Sequence, residues 1–275
     1  MVSIIVPSKH EKYLERTVKG LLDNARGEIE ILVVLDGYDT HFAFDDYRIR
    51  FIKHEESVGM RAGIRDAVSK AKGEYIMKID AHCIVDEGYD VKLAAQCEDN
   101  WVVIPRRYKL DEETWTRKEP YIDYEHFIFP LKYNPVSLHG FRWDERTEER
   151  TDPLDDNMTF QGSCWFMKKS HFQKLNLLSD TGYQGVPQQE AEEIGLSTWM
   201  SGGRVVTNKN TWYAHWFKGK SGRGYHLDLK QSRDCYKYSY QHWVHENKEQ
   251  FINVIEKFMP IPGWPEDWKE KLWTS

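Results

Sequence analysis

Two short, mainly apolar segments separated by a helical one narrow the fold more than anything else in this sequence. Val2 to Val6 is a β-branched run stopped by Pro7, which cannot donate to a central ladder. Tyr13, Leu14, Val18, Leu21 and Leu22 then recur at helical spacing, and Asn24 to Gly27 closes that helix with turn chemistry. Ile29 to Leu35 is a second apolar strand, ending at Asp36-Gly37. Strands that are apolar on both faces need cover on both, so this arrangement predicts a parallel βαβ unit. The pattern recurs: Arg50-Phe51-Ile52 predicts a strand, Met60 to Lys72 a helix, and Glu74 to Ile79 another strand.

Open α/β sheets bind ligands outside the C-terminal ends of their strands. Pro7-Ser8, Asp36-Gly37 and Asp80-Ala81-His82 are therefore expected along one edge. The last follows Tyr75-Ile76-Met77-Lys78-Ile79, so a buried strand would deliver an acid and an imidazole one residue apart, a pair suited to a divalent cation. On its own an acid at a strand end also serves as a turn residue. Lys78 is expected to point away from its apolar neighbours, toward solvent or a salt bridge.

A chain of 275 residues is long enough to bury a sizeable core. Its 11 Trp and 15 Tyr suit either a packed interior or the covering of flat sugar faces. A formal charge of -6 argues against nucleic-acid affinity spread over the whole surface, while leaving local patches open. Cys83, Cys97, Cys164 and Cys235 are far apart, which indicates neither a zinc ribbon nor a disulfide framework and fits a reducing compartment. The opening residues are strand-like rather than a signal peptide, and no run reaches the ~20 apolar residues of a membrane span. The expectation is a soluble, cytoplasmic protein without a membrane partner.

The order SIIVPSKHEKYLERTVKGLL, EILVVLDG and GMRAGIRDAVSKAKGEYIMKIDAHC resembles the nucleotide-sugar-binding half of GT-A glycosyltransferases. Asp-x-His, in place of the usual Asp-x-Asp, is particularly like the polypeptide N-acetylgalactosaminyltransferases. FQGSCWFMKKSHF is similar to that family's acceptor-side strand. QEAEEIGLSTWMSGGRVVTNKNTWYAHWF is similar to its stretch from a glutamate through a Gly-Gly turn to a metal-binding histidine. These blocks cover about residues 2–104 and 159–217.

The resemblance implies an α/β fold: a GT-A type, Rossmann-like mixed sheet flanked by helices, with a charged acceptor-side insertion and a C-terminal helical extension. Residues 1–217 would form the glycosyltransferase domain, with 1–104 its nucleotide-sugar half and 105–217 its acceptor half. Residues 218–275 would add a mobile basic loop and a helical extension packed on the body. Asp80, His82 and His215 would hold Mn²⁺ or Mg²⁺ beside the diphosphate of a nucleoside diphosphate sugar. Pro7 and Ser8 would line the nucleoside pocket, and Asp36 would hydrogen-bond base or ribose. Arg61 and Arg65 lie one helical turn apart and can face one ligand, so one of them is expected to approach the nucleotide.

In inverting relatives the second acid of a Glu-Asp pair deprotonates the acceptor. Here Glu190 is followed by Ala191, which leans toward a retaining outcome with Glu190 placing sugar or acceptor. Glu192 and Glu193 are expected as helix-surface charges. Residues 105–158 are dense in charge and read as a solvated excursion over the acceptor side, where Trp115, Tyr121, Tyr124, Phe141 and Trp143 would shape a cleft. After His215 comes a glycine-rich basic loop, whose Lys218, Lys220 and Arg223 would neutralise phosphate. Leu227 to Met259 looks helical. Trp264, Trp268 and Trp273 serve either packing onto the body or an oligomer contact.

The function expected is metal-dependent transfer of a sugar, from a uridine-based nucleoside diphosphate donor, onto a hydroxyl of protein or glycan. An excess of Lys and Arg between Arg204 and Lys237 would hold a phosphate backbone as readily as a diphosphate, so a hydroxymethylated base in DNA is the alternative acceptor. A nucleotide-sugar-binding protein without turnover is the third reading.

Overall fold

The computed structural model describes residues 1–40, 42, 44–130, 138–218 and 228–273. Its first half is the expected alternation. Strand β1 (Val2–Ser8), helix α1 (Leu14–Asn24), β2 (Ile29–Asp36), β3 (Ile49–His54), α2 (Met60–Lys70) and β4 (Tyr75–Ile79) follow in order. β1 is parallel to β2 and to β4, and β2 is parallel to β3. The resulting order 3-2-1-4 is that of one mononucleotide-binding half of a doubly wound sheet. α1 lays Leu14, Val18 and Leu21 on the face that carries Ile4, Val6, Ile31 and Val33. On the opposite face α2 covers Ile5, Leu32 and Val34 with Ile64, Ala67 and Val68.

Pro7 does not end β1. The strand runs on to Ser8 against Leu35, whereas its ladder with β4 stops at Ile5 opposite Lys78. Pro7 lies past that point, so its missing N–H removes no bond there.

The second half completes the sheet with β5 (Cys83–Val85), α3 (Tyr89–Ala94), β6 (Trp101–Asp111), β7 (Thr116–Ile122), β8 (Glu125–Phe127), β9 (Gly140–Arg142) and α4 (Asp144–Glu149). Then come β10 (Leu154–Asp156), β11 (Cys164–Lys168), α5 (Lys169–Lys174), α6 (Glu190–Met200) and β12 (Arg204–His215). The main sheet runs β10-β12-β6-β11-β4-β1-β2-β3, with β5 on β12 and β7 on β6, while β8 and β9 form a separate pair. β11 is antiparallel to both β4 and β6, so the sheet is mixed.

Residues 105–111 are not a solvated excursion but the continuation of buried β6. The arginines are tolerated there because both find a partner. Arg106 donates to both carboxylate oxygens of Asp123 at 2.7 Å, and Arg107 pairs with Glu125. Among the described residues of this stretch, the turn at 112–114, β7 and the segment around α4 are as exposed as the composition suggests.

The helical stretch expected from Leu227 to Met259 is three pieces: α7 (Leu229–Tyr240), a π-helical turn (Gln241–Glu246) and α8 (Lys248–Phe258), followed by α9 (Trp268–Trp273). They form a third core in which Trp243, Phe251, Trp264 and Trp268 pack on Tyr124, Phe127, Trp143 and Leu196. Trp264 Nε1 donates to Phe127 O at 2.7 Å, so the tryptophans tie the tail to the body. All four cysteines are buried and free. No helix among the described residues is long and apolar enough to cross a membrane.

Candidate active site

The C-terminal ends of β1, β2 and β4 open into a cleft of about 930 Å³ lined by Pro7, Ser8, Asp36, Asp80, His82, Glu190, His215 and Lys218. That is the upper end of the usual range for a ligand site. The strand pattern therefore brings most of the expected residues together.

Asp80 and His82 leave the tip of β4, and β12 delivers His215 beside them by pairing with β5. His82 Nε2 lies 3.0 Å from His215 Nε2, and Asp80 Oδ2 lies 3.3 Å from His215 Nε2 and 3.7 Å from His82 Nε2. His215 Nδ1 has no hydrogen-bond partner among the described residues, and His82 Nδ1 faces Glu11 Oε2 at 3.2 Å. Two ring nitrogens facing each other at this distance need a proton or a cation between them. With each proton on Nδ1, both Nε2 lone pairs and one carboxylate oxygen point into a single gap, a donor set that fits Mn²⁺ or Mg²⁺ with further oxygen ligands. Burial pushes His215 down to about 4, so it is neutral at ordinary pH, as a ligand must be.

Glu11 backs this group. Its Oε2 lies 3.2 Å from His82 Nδ1, and its other oxygen pairs with Lys218. Burial would raise its pKa, but His82 and Lys218 outweigh burial and hold it low. A carboxylate behind a ligating imidazole fixes the ring and its tautomer. Glu11 is absent from the motif reading. Its position, three residues beyond β1 at the same edge, is the signal that would have found it.

Of the two expectations for Lys78, solvent or a salt bridge, the structure takes the second. It is 1% exposed, and its Nζ donates to Asp80 Oδ1 at 2.7 Å and to Gly162 O at 2.6 Å, with Glu190 Oε2 at 3.4 Å. Residues two apart in a strand share a face, so Lys78 and Asp80 were placed to meet by the period alone. Lys78 holds Asp80 far below the ordinary carboxylate range, against the effect of burial.

Glu190 begins α6 and lines the cleft. Its Oε1 accepts from Trp165 Nε1 at 2.8 Å, and burial raises its pKa while Lys78 pulls it down. Gly162 is what lets it sit there, since a Cβ at that position would lie 2.9 Å from Glu190 Oε2. Glu192 and Glu193 are not surface charges; both are buried. Glu192 lines the cleft, accepts from Gly140 N at 3.3 Å, and is pushed up to about 7 by burial and by Glu125 and Glu190.

Glu193 pairs with Arg61, whose fully buried side chain also donates to Val186 O at 2.9 Å and Gln188 O at 3.0 Å. Arg61 therefore does not line the cleft; it anchors the approach to α6. Arg65 donates to Asn176 Oδ1 at 3.0 Å and Leu177 O at 2.9 Å, and it does not line the cleft either. Both arginines point toward the 176–193 segment because that is where α2 packs.

Asp36 lines the cleft with both oxygens already accepting, from Val58 N at 2.6 Å, Gly59 N at 3.2 Å and Ser57 Oγ at 2.7 Å. It holds the 57–59 turn, where Gly59 has φ of 85° and leaves no room for a Cβ against Gly185 O. Ser8 Oγ, which lines the cleft, pairs with Tyr38 OH behind it. Trp115, Tyr121, Tyr124, Phe141 and Trp143 do not line the cleft; Tyr124 and Trp143 are buried in the C-terminal core instead. Lys220 and Arg223 lie outside the described residues.

The glycosyl transferase family 2 profile matches residues 3–175, more than half of the chain. The chain belongs to glycosyl transferase family 2. It is 33% identical over 122 residues to the glycosyltransferase GlyG of Streptococcus pneumoniae, covering 41% of this chain and 40% of that one. It is also 23% identical over 294 residues to a putative polypeptide N-acetylgalactosaminyltransferase 13 of Drosophila melanogaster, covering 95% and 51%. The chain thus spans about half or less of these relatives' length. Among solved structures it superposes on GalNAc-T7, crystallised with UDP, GalNAc and Mn²⁺, at a TM-score of 0.74 and 16% identity, covering 99% of this chain and 54% of that one. This family 2 chain has the GT-A type of fold.

Proposed function

We propose that the chain is a metal-dependent glycosyltransferase that moves a sugar from a uridine diphosphate donor to a hydroxyl with retention at the anomeric carbon. The observation that carries the reading is the convergence of Asp80 Oδ2, His82 Nε2 and His215 Nε2 at the strand edge that Pro7, Ser8 and Asp36 also line. The GalNAc-T7 structure, with UDP and Mn²⁺, supports the donor and metal class.

Each residue then has a task. Pro7 and Ser8 flank the nucleoside, and Asp36 keeps the 57–59 turn in place beside it. Asp80, His82 and His215 would hold the divalent cation, which supplies Lewis-acid stabilisation of the charge that develops on the departing diphosphate. Glu11 keeps His82 oriented. Lys218, Lys220 and Arg223 are assigned to the diphosphate. Glu190 is held by Trp165 and Lys78 where sugar and acceptor meet.

Ala191 stands where inverting relatives carry the second acid, which supports retention, with the leaving phosphate taking the acceptor proton. Among the described residues the acceptor side of the cleft carries Glu125, Glu190 and Glu192. Carboxylates suit the hydroxyls of a neutral glycan or peptide better than a phosphate backbone.

The purified protein is incubated with a panel of nucleotide sugars and Mn²⁺ while donor hydrolysis and nucleotide-dependent thermal shift are followed. Uridine diphosphate sugars should respond; silence toward every donor, with or without metal, refutes the reading. His215→Ala should abolish metal-dependent turnover with the melting transition retained. Anomeric proton couplings of the product decide retention. Product on hydroxymethylated DNA rather than on glycans or peptides would overturn the acceptor class.

A further inference from the structure

We propose that Lys78 is a positioning residue that divides Asp80 between two cations and, through the same ammonium, ties Glu190 to the metal-binding group. It sits in β4, the strand between β1 and β11, with 1% of its surface exposed. A lysine buried this deeply is costly to desolvate unless its donors are used. An ammonium has three N–H donors, and three acceptors surround this one: Asp80 Oδ1 at 2.7 Å, Gly162 O at 2.6 Å and Glu190 Oε2 at 3.4 Å.

The geometry splits the Asp80 carboxylate. Oδ1 faces Lys78, and Oδ2 faces the imidazoles, 3.3 Å from His215 Nε2 and 3.7 Å from His82 Nε2. One oxygen is thereby left for a metal, and the carboxylate cannot swing to offer both. Glu190 is fixed at its far oxygen by Trp165 Nε1 at 2.8 Å, so the Lys78 contact determines how near its second oxygen stands to Asp80. Without the ammonium, two buried carboxylates would face each other and separate.

The device exchanges cation affinity for geometry. Removing the ammonium frees Oδ1 and takes a positive charge away from the metal-binding group, so a divalent cation binds more tightly. Glu190 loses its place at the same time, so turnover falls. An ion pair that only held the strands together would act otherwise: loosening the site would weaken metal binding and turnover alike.

The metal arm of the test stands apart from the glycosyltransferase reading, and only the turnover arm rests on it. Mn²⁺ affinity of the full chain is measured from the electron paramagnetic resonance signal of free Mn²⁺. Lys78→Met should bind Mn²⁺ about tenfold more tightly, equivalent to one decade in the equilibrium constant. Its kcat should drop about 100-fold, the usual scale for a catalytic group displaced by an ångström. Lys78→Arg keeps the charge and should leave Mn²⁺ affinity within about threefold of the unaltered chain.

A folded Lys78→Met chain with unchanged or weaker Mn²⁺ binding overturns the proposal. Should that chain lack a cooperative melting transition, the ¹⁵N ammonium resonance of Lys78 in the unaltered protein decides. It shifts during Mg²⁺ titration if lysine and metal share Asp80, and an unmoved signal overturns the proposal. If the unaltered protein transfers no sugar, the glycosyltransferase reading falls while the Mn²⁺ comparison still decides the role of Lys78.

Discussion

The Arg61 and Glu193 pair offers the sharpest test of how the cleft is built. Arg61 is 0% exposed, spends donors on Glu193, Val186 O and Gln188 O, and lies 4.0 Å from the Tyr183 ring. Glu193→Gln keeps the shape and can still accept from Leu178 N, now at 2.8 Å, but it strands the guanidinium charge in the interior. Breaking a buried pair in this way costs about 3–5 kcal/mol. For a chain of this size that corresponds to a melting temperature lower by roughly 6–20 °C. Urea unfolding, followed by tryptophan fluorescence, gives the midpoint and slope for Glu193→Gln, Arg61→Met and the double substitution. The double should be less damaging than either single, because it leaves no unpaired charge. Singles within about 1 kcal/mol of the unaltered protein, or a double no better than the worse single, would refute the view that this pair is a desolvated anchor.

Glu192 is held near pH 7 in the fold against about 4.5 in the unfolded chain, so the folded state keeps a proton that the unfolded state releases. Its contribution is fully present below pH 4.5 and is lost as pH rises to 7; Glu192→Gln should therefore gain stability relative to the unaltered chain at pH 8 but not at pH 4, read by urea midpoints. His171 works in the opposite sense. Burial lowers it from 6.5 to about 4, so stability should fall as pH drops through that window, and His171→Gln should flatten the loss in a pH series of melting curves. Gly162→Ala places a methyl 2.9 Å from Glu190 Oε2; kcat should fall at least about tenfold while the melting temperature changes little.

Periodicity made the first half of the fold legible because β1, β2 and β4 are buried on both faces and apolar runs of that length leave few alternatives. The Asp80, His82 and His215 cluster was legible for the same reason: Asp80 and His82 follow the end of β4, and His215 ends β12. Charged residues in the interior were not. Arg61 and Glu193 are 132 residues apart, and Lys78 and Glu190 are 112 apart, so no local window joins donor to acceptor. Arg106 and Arg107 misled more mildly, since their partners Asp123 and Glu125 lie across a hairpin. The break between α7 and α8 leaves no mark in the apolar spacing, because the π-helical turn still buries Trp243 and Val244.

β11 has a consequence for the order in which the protein is made. It supplies the partner that β4 lacks on the side away from β1, yet it lies at residues 164–168. As the chain leaves the ribosome, the 3-2-1-4 half emerges before β11, with the apolar edge of Tyr75–Ile79 unpaired. An edge of that kind templates association with any neighbouring extended chain. Nascent chains halted between β4 and β11 should accordingly be the most dependent on chaperones. The Asp80 and His82 cluster is also incomplete at that stage, because His215 is synthesised later still.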